Sequence, residues 1–181
     1  VDVFYLIKDN NYWSSSSFVN DSSLAHFVYF GIGDVSLYPK TETNHVQCVR
    51  GSSFFETSFA EYINNEKVVV KDLNLGLYWQ KEHSEKITWT AALEYCENLD
   101  YAGFNDWRLP NINELKGLID YTKYNPGSIF PEMVSDVFWS ASSLVLDGRY
   151  SWFTDFKYGR AGIYMKIESN NYYARCVRNG E

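Results

Sequence analysis

The clearest periodicity in the chain runs through Trp89, Ala92, Leu93, Cys96 and Leu99, which recur at i, i+3, i+4, i+7 and i+10. That spacing puts all five on one face of a helix, and Thr88 stands where a side-chain oxygen can cap the first turn. A second helix is predicted over 112–119, with Ile112, Leu115, Leu118 and Ile119 facing inward. Pro110 precedes it, and Asn111 with Glu114 three residues on forms a capping-box pair. Elsewhere the apolar runs are short and β-like. Residues 67–70 and 75–80 read as strands around an Asp72-Leu73-Asn74 turn. Residues 137–142, 150–156, 163–167 and 173–178 read as four more, with Lys157-Tyr158-Gly159-Arg160 turning one hairpin. Between the helices and the late strands, the segment from Tyr124-Asn125-Pro126-Gly127 to Pro131 is an irregular loop. Two helices followed by a mostly antiparallel sheet is an α+β order.

The chain also matches itself. Tyr12-Trp13-Ser14-Ser15-Ser16 answers to Phe138-Trp139-Ser140-Ala141-Ser142 at an interval of 126, and Phe27, Phe30 and Gly33 fall on Phe153, Phe156 and Gly159 at the same interval. Val46-Gln47-Cys48-Val49-Arg50 falls on Ala174-Arg175-Cys176-Val177-Arg178 at 128, the drift of two lying in a loop. The expected organisation is 1–50 as the C-terminal part of a repeat, 51–65 as a connector, and 66–181 as a complete copy. A start at Val1 without Met suggests a piece of a longer protein. Half a unit has no helices to cover its sheet, so its rings must be covered by the complete copy or by a partner molecule.

Composition narrows the function classes. Hydrophobic residues are 45% and charged residues 22% of 181, so the chain folds rather than staying disordered. Aromatic residues reach 18%, more than a core of this size needs, and exposed Tyr and Trp suit contact surfaces. The net charge of −7 argues against nucleic acid, whose binding rests on clustered cations. No apolar run is long enough to insert into a membrane. His26, His45 and His83 are scattered and no catalytic motif appears, so no catalytic residue and no cofactor is expected. No metal is expected either: Asn105-Asp106, Asn113 and the pair Asn111 and Glu114 carry oxygens, but capping accounts for the last two. The three cysteines lack zinc spacings.

Read in order, the motifs are Asp72 with Gly76-Leu77-Tyr78-Trp79-Gln80-Lys81, then Asp106-Trp107-Arg108-Leu109-Pro110-Asn111 leading to Glu114-Leu115. Phe138-Trp139-Ser140, Trp152 with Phe156, and Arg175-Cys176-Val177-Arg178 follow. The series resembles the DUF1566 family, the domain at the C-terminus of Legionella collagen-like adhesin and in many bacterial surface proteins. The likeness covers nearly all of 66–181, and 1–50 match the family's second half alone.

The resemblance implies a C-type-lectin-like fold, akin to formylglycine-generating enzymes and to the variable proteins of diversity-generating retroelements. It implies a disulfide between the first helix and the last strand, here Cys96 with Cys176, closing about 80 residues and worth about 4.5 kcal/mol. Cys48 is then the last-strand cysteine of the first copy, free or bonded outside this chain. Such a bridge implies an extracytoplasmic place: secreted, cell-surface or periplasmic.

The implied function is a non-enzymatic ligand-binding or adhesion module for glycan or protein, with a homo-oligomer left open. In the retroelement proteins, ligand contacts lie between the Trp-Ser motif and the terminal strand. That makes Asp147, Arg149, Tyr150, Tyr158, Arg160 and Tyr172 the candidate ligand-binding residues, rings interspersed with charges. Asp106-Trp107-Arg108 reads as structural, a core ring flanked by bonded polar groups. Two alternatives stay open: a catalytic relative of the formylglycine-generating type, which needs a cysteine pair where Cys176 stands alone, and a purely architectural repeat.

Overall fold

The computed structural model describes residues 8–50, 58–167 and 169–180. Along them run β1 (Asn11–Ser17), β2 (Leu24–Tyr29), β3 (Asp34–Pro39), β4 (Phe59–Asn64), β5 (Lys67–Asp72) and β6 (Leu77–Gln80). Then come α1 (Trp89–Glu97), α2 (Ile112–Lys116), β7 (Val137–Ser143), β8 (Tyr150–Asp155), β9 (Arg160–Met165) and β10 (Val177–Asn179). The strands form two antiparallel sheets, ordered β1-β2-β3-β9-β8-β7 and β10-β6-β5-β4. The architecture is α+β.

Both helices start where their caps place them. The Thr88 hydroxyl accepts the Ala91 N–H, and Ala92 and Cys96 turn into the core. The Asn111 side chain accepts the N–H groups of Asn113 and Glu114, while the Glu114 carboxylate accepts the Asn111 N–H. α2 stops at Lys116, short of the predicted 119. Gly117 follows, a poor helix former, and Ile119 bridges to Ser128 instead, with Ile129 N–H donating to the Leu118 carbonyl. Leu118 and Ile119 are still buried, and the inward face continues through tighter bonds to the third residue back, Leu118 N–H on the Leu115 carbonyl and Ile119 N–H on the Lys116 carbonyl.

The expected strands appear with shifted ends. β9 begins at Arg160, and the predicted strand over 173–178 keeps regular pairing in β10 alone. Ahead of β10 the chain is laced into both sheets by single bonds: Trp139 N–H donates to the Tyr173 carbonyl, Ser84 N–H to Ala174, and Gln80 N–H to Cys176. Within the stretch read as a connector, Phe59–Asn64 is the edge strand β4, fully paired with β5. Residues 51–57 lie outside the described residues.

Neighbouring residues on these strands feed two separate cores, because strand side chains alternate between faces. Val69, Trp139 and Cys176 join Cys96 and Trp107 beside α1, while Val70, Phe138 and Val177 join Trp79, Leu115 and Phe156. Covered on both faces, β7 and β8 bury consecutive residues, Phe138-Trp139-Ser140 and Ser151 to Asp155, polar ones among them, so they show no simple alternation. Cys96 and Cys176 form a disulfide with Cα atoms 5.5 Å apart. Cys48 is free and exposed.

The N-terminal strands repeat the late ones. β1, β2 and β3 sit at the same interval of 126 from β7, β8 and β9, and β3 joins β9 with Val35 opposite Ala161. The tail of each set also repeats: Trp13 N–H donates to the His45 carbonyl at 2.9 Å, as Trp139 N–H does to Tyr173 at 2.9 Å.

Candidate functional site

Asp147, Arg149 and Tyr150 stand together on the loop from β7 into β8. Arg149 Nη2 lies 2.7 Å from Asp147 Oδ2 and its Nε 3.0 Å from Oδ1, while the Arg149 backbone N–H donates to the same carboxylate. These bonds, the side-chain ones first, hold the Asp147 carboxyl down to about 2. The loop is closed at its base by Leu144 N–H on the Tyr150 carbonyl and by Tyr150 N–H on the Asp147 carbonyl. At its tip Val145 is 98% and Leu146 78% exposed. Met165 and Ile167 add exposed apolar surface at the neighbouring end of β9, tied in by Lys166 N–H on the Arg149 carbonyl. Between them the Lys166 ammonium lies 3.7 Å from the Trp89 ring centre and bonds the Ser143 hydroxyl at 2.5 Å; its burial lowers its pKa.

Tyr158 and Arg160 lie at the other end of β8. Tyr150 pairs with Met165 and Asp155 with Arg160, so five residues, or about 17 Å, separate the two ends. Arg160 Nε is 3.1 Å from Asp155 Oδ2, and its guanidinium lies 5.2 Å from the Tyr158 ring. Tyr158 packs with Tyr124 and with Phe18 of the N-terminal strands, at the seam between the two halves. Tyr172 is held elsewhere again. Its ring stacks on Tyr164 at 5.1 Å and meets Trp139 at 4.8 Å, and its backbone exchanges both bonds with Ile87. Burial raises its hydroxyl pKa. The six candidates therefore form three groups, and the β7–β8 loop, with the Arg149 side chain 76% exposed, is the most open to solvent.

Sequence reasoning placed the stretch 143–149 in the candidate region but did not single out Val145 and Leu146 within it, and it missed Lys166 as a member of that surface. The signal was present: Leu144-Val145-Leu146 runs straight into the turn formers Asp147-Gly148, an apolar run where a loop should be polar.

The Asp106-Trp107-Arg108 motif is occupied with holding the fold. Trp107 is 2% exposed, and its ring N–H is shared between the carbonyls of Tyr101 and Phe104 at 3.1 Å each. Asp106 pairs with Arg178 at 2.6 Å, and Arg178 in turn covers the Phe104 ring at 3.9 Å. Arg108 grips both oxygens of Glu114, at 2.8 and 2.7 Å. Burial raises the Glu114 carboxyl, but the bonds from Arg108 and from the Asn111 N–H outweigh it and leave it below its ordinary value. Asn111 Oδ1 and both Glu114 oxygens are thus engaged within the cap and its Arg108 pair.

Among the described residues no helix is long and apolar enough to cross a membrane. No curated protein matches the chain. The model of the Lcl C-terminal domain matches residues 68–178, more than half of the chain, from β5 through both helices, the disulfide and the β7–β8 loop into β10. By that match the chain belongs to the Lcl C-terminal domain family.

Proposed function

We propose that the chain is a non-catalytic, extracytoplasmic binding or adhesion module that meets a partner through the β7–β8 loop. The family supports an adhesin-like surface domain, and the Cys96–Cys176 bridge supports an oxidising compartment. The order of two helices and antiparallel sheet, with the bridge from first helix to last strand, favours the C-type-lectin-like reading. The observation that carries the ligand site is the tip of Val145 and Leu146, held out on a loop stiffened by the Asp147–Arg149 pair. Two aliphatic side chains largely in water cost free energy that a partner's apolar surface would recover, at about 25 cal/mol per Å².

Of the two ligand classes, glycan and protein, the geometry favours protein. Sugar faces stack on open rings, and here Trp89 is covered by Lys166 and Tyr172 by Trp139 and Tyr164. The catalytic alternative is disfavoured, because Cys176 is fully buried in the bridge. A screen of the intact protein against matrix proteins and a glycan array tests the reading. Leu146→Asp and Arg149→Ala should then each weaken the protein ligand found by roughly 1–2 kcal/mol, the scale of an interface hot spot. Glycan binding untouched by both variants would overturn it.

A further inference from the structure

β1–β3 carry the same face as β7–β9 but without its cover. Trp139 and Phe153 are buried in the core under α1, with Tyr164 against it, together with Cys96 and Cys176. Their counterparts Trp13, Phe27 and Tyr38 pack on one another, at 6.4 and 5.6 Å, and remain partly in water. The opposite face shows a second gap. Ser142 receives the Ile112 N–H at the start of α2 at 3.0 Å. Its counterpart Ser16 lines an apolar cavity of about 150 Å³ with Ser14, the run His26-Phe27-Val28, Val35 and Tyr121. His26 is 3% exposed, yet its Nδ1 has no hydrogen-bond partner among the described residues. A third difference lies in the tail. Val177 is fully buried against β6, while its counterpart Val49 is 93% exposed beside the free Cys48.

These three gaps are the places that β6, α1 and α2 fill in the complete unit. We propose that residues 8–50 are the second half of another unit of the same kind, and that its faces take a counterpart of residues 67–117 bearing a cysteine on an α1-like helix. That cysteine would bond Cys48, as Cys96 bonds Cys176. Both thiols lose their protons and together two electrons, which pass to a disulfide-bearing oxidant that leaves as the dithiol. The cover belongs to a further stretch of the same polypeptide. In the complete unit the covering segment is continuous with the strands it covers, and residues 67–117 of a second copy are already spent on their own β7–β9. This inference is independent of the β7–β8 loop and of its ligand.

The test uses the protein as its cell produces it. Maleimide labelling before and after reduction, with non-reducing peptide mapping, should find Cys48 blocked and joined to a peptide of the same polypeptide whose cysteine follows the Trp-x-x-Ala-Leu-x-x-Cys spacing of 89–96. A free Cys48 thiol, or Cys48 joined to a second molecule, would overturn the proposal. Amide exchange gives a readout independent of the cysteine. Residues 46–50 should be protected as strongly as 174–178, and also in Cys48→Ser if that variant folds. Fast exchange at 46–50 in the unmodified protein would equally overturn it.

Discussion

Trp152 lies against Gly33, and the relationship is reciprocal, since His26 lies against Gly159. A Cβ added at Gly33 would stand 4.0 Å from Trp152 Cη2, and one at Gly159 would stand 4.0 Å from His26 Cε1. His26 and Trp152 occupy matching places on β2 and β8, and both glycines take a positive φ in matching turns, +84° and +59°. Each half thus lays one ring over the other half's turn, and the glycines allow the positive-φ bend of that turn.

Gly159→Ala should therefore destabilise the protein by about 1–3 kcal/mol, because an alanine there is strained and its methyl lies 3.4 Å from Ile119 Cγ2. Gly148→Ala, with nothing within 4 Å of the new carbon, is the control. Denaturant unfolding of both variants measures the difference, and equal midpoints would contradict the strain expected of a side chain at this positive φ.

Trp107→Ala should cost about 3–5 kcal/mol, the range for removing a large core ring. Leu146→Asp should stay within about 0.5 kcal/mol of the unmodified protein, as exposed positions do. Thermal melts of the two variants separate the motif that holds the fold from the loop that meets a partner.

Removing the bridge with Cys96→Ser and Cys176→Ser together should lower stability by about 4 kcal/mol, mainly through a freer unfolded chain. Unfolding with and without reductant checks this. Reductant should lower the stability of the unmodified protein by more than that of the double variant, where a bond at Cys48 alone is left to cut.

The Asp147 carboxyl is depressed below its ordinary value, so its pairing with Arg149 is complete above pH of about 3.9 and is lost as pH falls through about 2. Carbon-detected NMR titration should find Asp147 near 2, and Arg149→Ala should return it toward the ordinary aspartate value. Partner binding through this loop should accordingly hold from neutrality down to about pH 4. The Glu114 carboxyl is also depressed, so its support of α2 is present above about pH 4.5 and is lost on acidification. Glu114→Gln should cost about 1 kcal/mol at neutral pH and less as pH falls toward 3.

Much of this fold is written locally. Thr88, Asn111 and Glu114 mark helix starts, and the Trp89–Leu99 periodicity marks a buried face, because caps and helical spacing act within a few residues. What escaped is set at long range. β4 leaves Tyr62 and Ile63 exposed along with Glu61 and Asn64, so no inward and outward alternation marks it, and its pairing with β5 sets it as a strand. Residues 173–176 look like strand, yet they bond in turn to β7 and to the segment after β6, a path no local pattern encodes. The candidate ligand residues were chosen for their type. Tyr158 and Tyr172 are rings that other rings hold, and sequence does not distinguish a ring held by neighbours from one turned to solvent.

Pairing of β3 with β9 at Val35 and Ala161 sets each residue against its own counterpart, which is the signature of a local two-fold axis. Such an axis closes on itself: the joining edge of each half is consumed by one partner and offers nothing to a third. At the outer margins His45 lies along β1 and Tyr173 along β7, so both ends of the six-stranded sheet are already hemmed by the chain's own tails. The sheet therefore has a fixed width. Further units would lengthen a molecule of this kind two at a time, as separate blocks, rather than broaden one sheet toward a fibre.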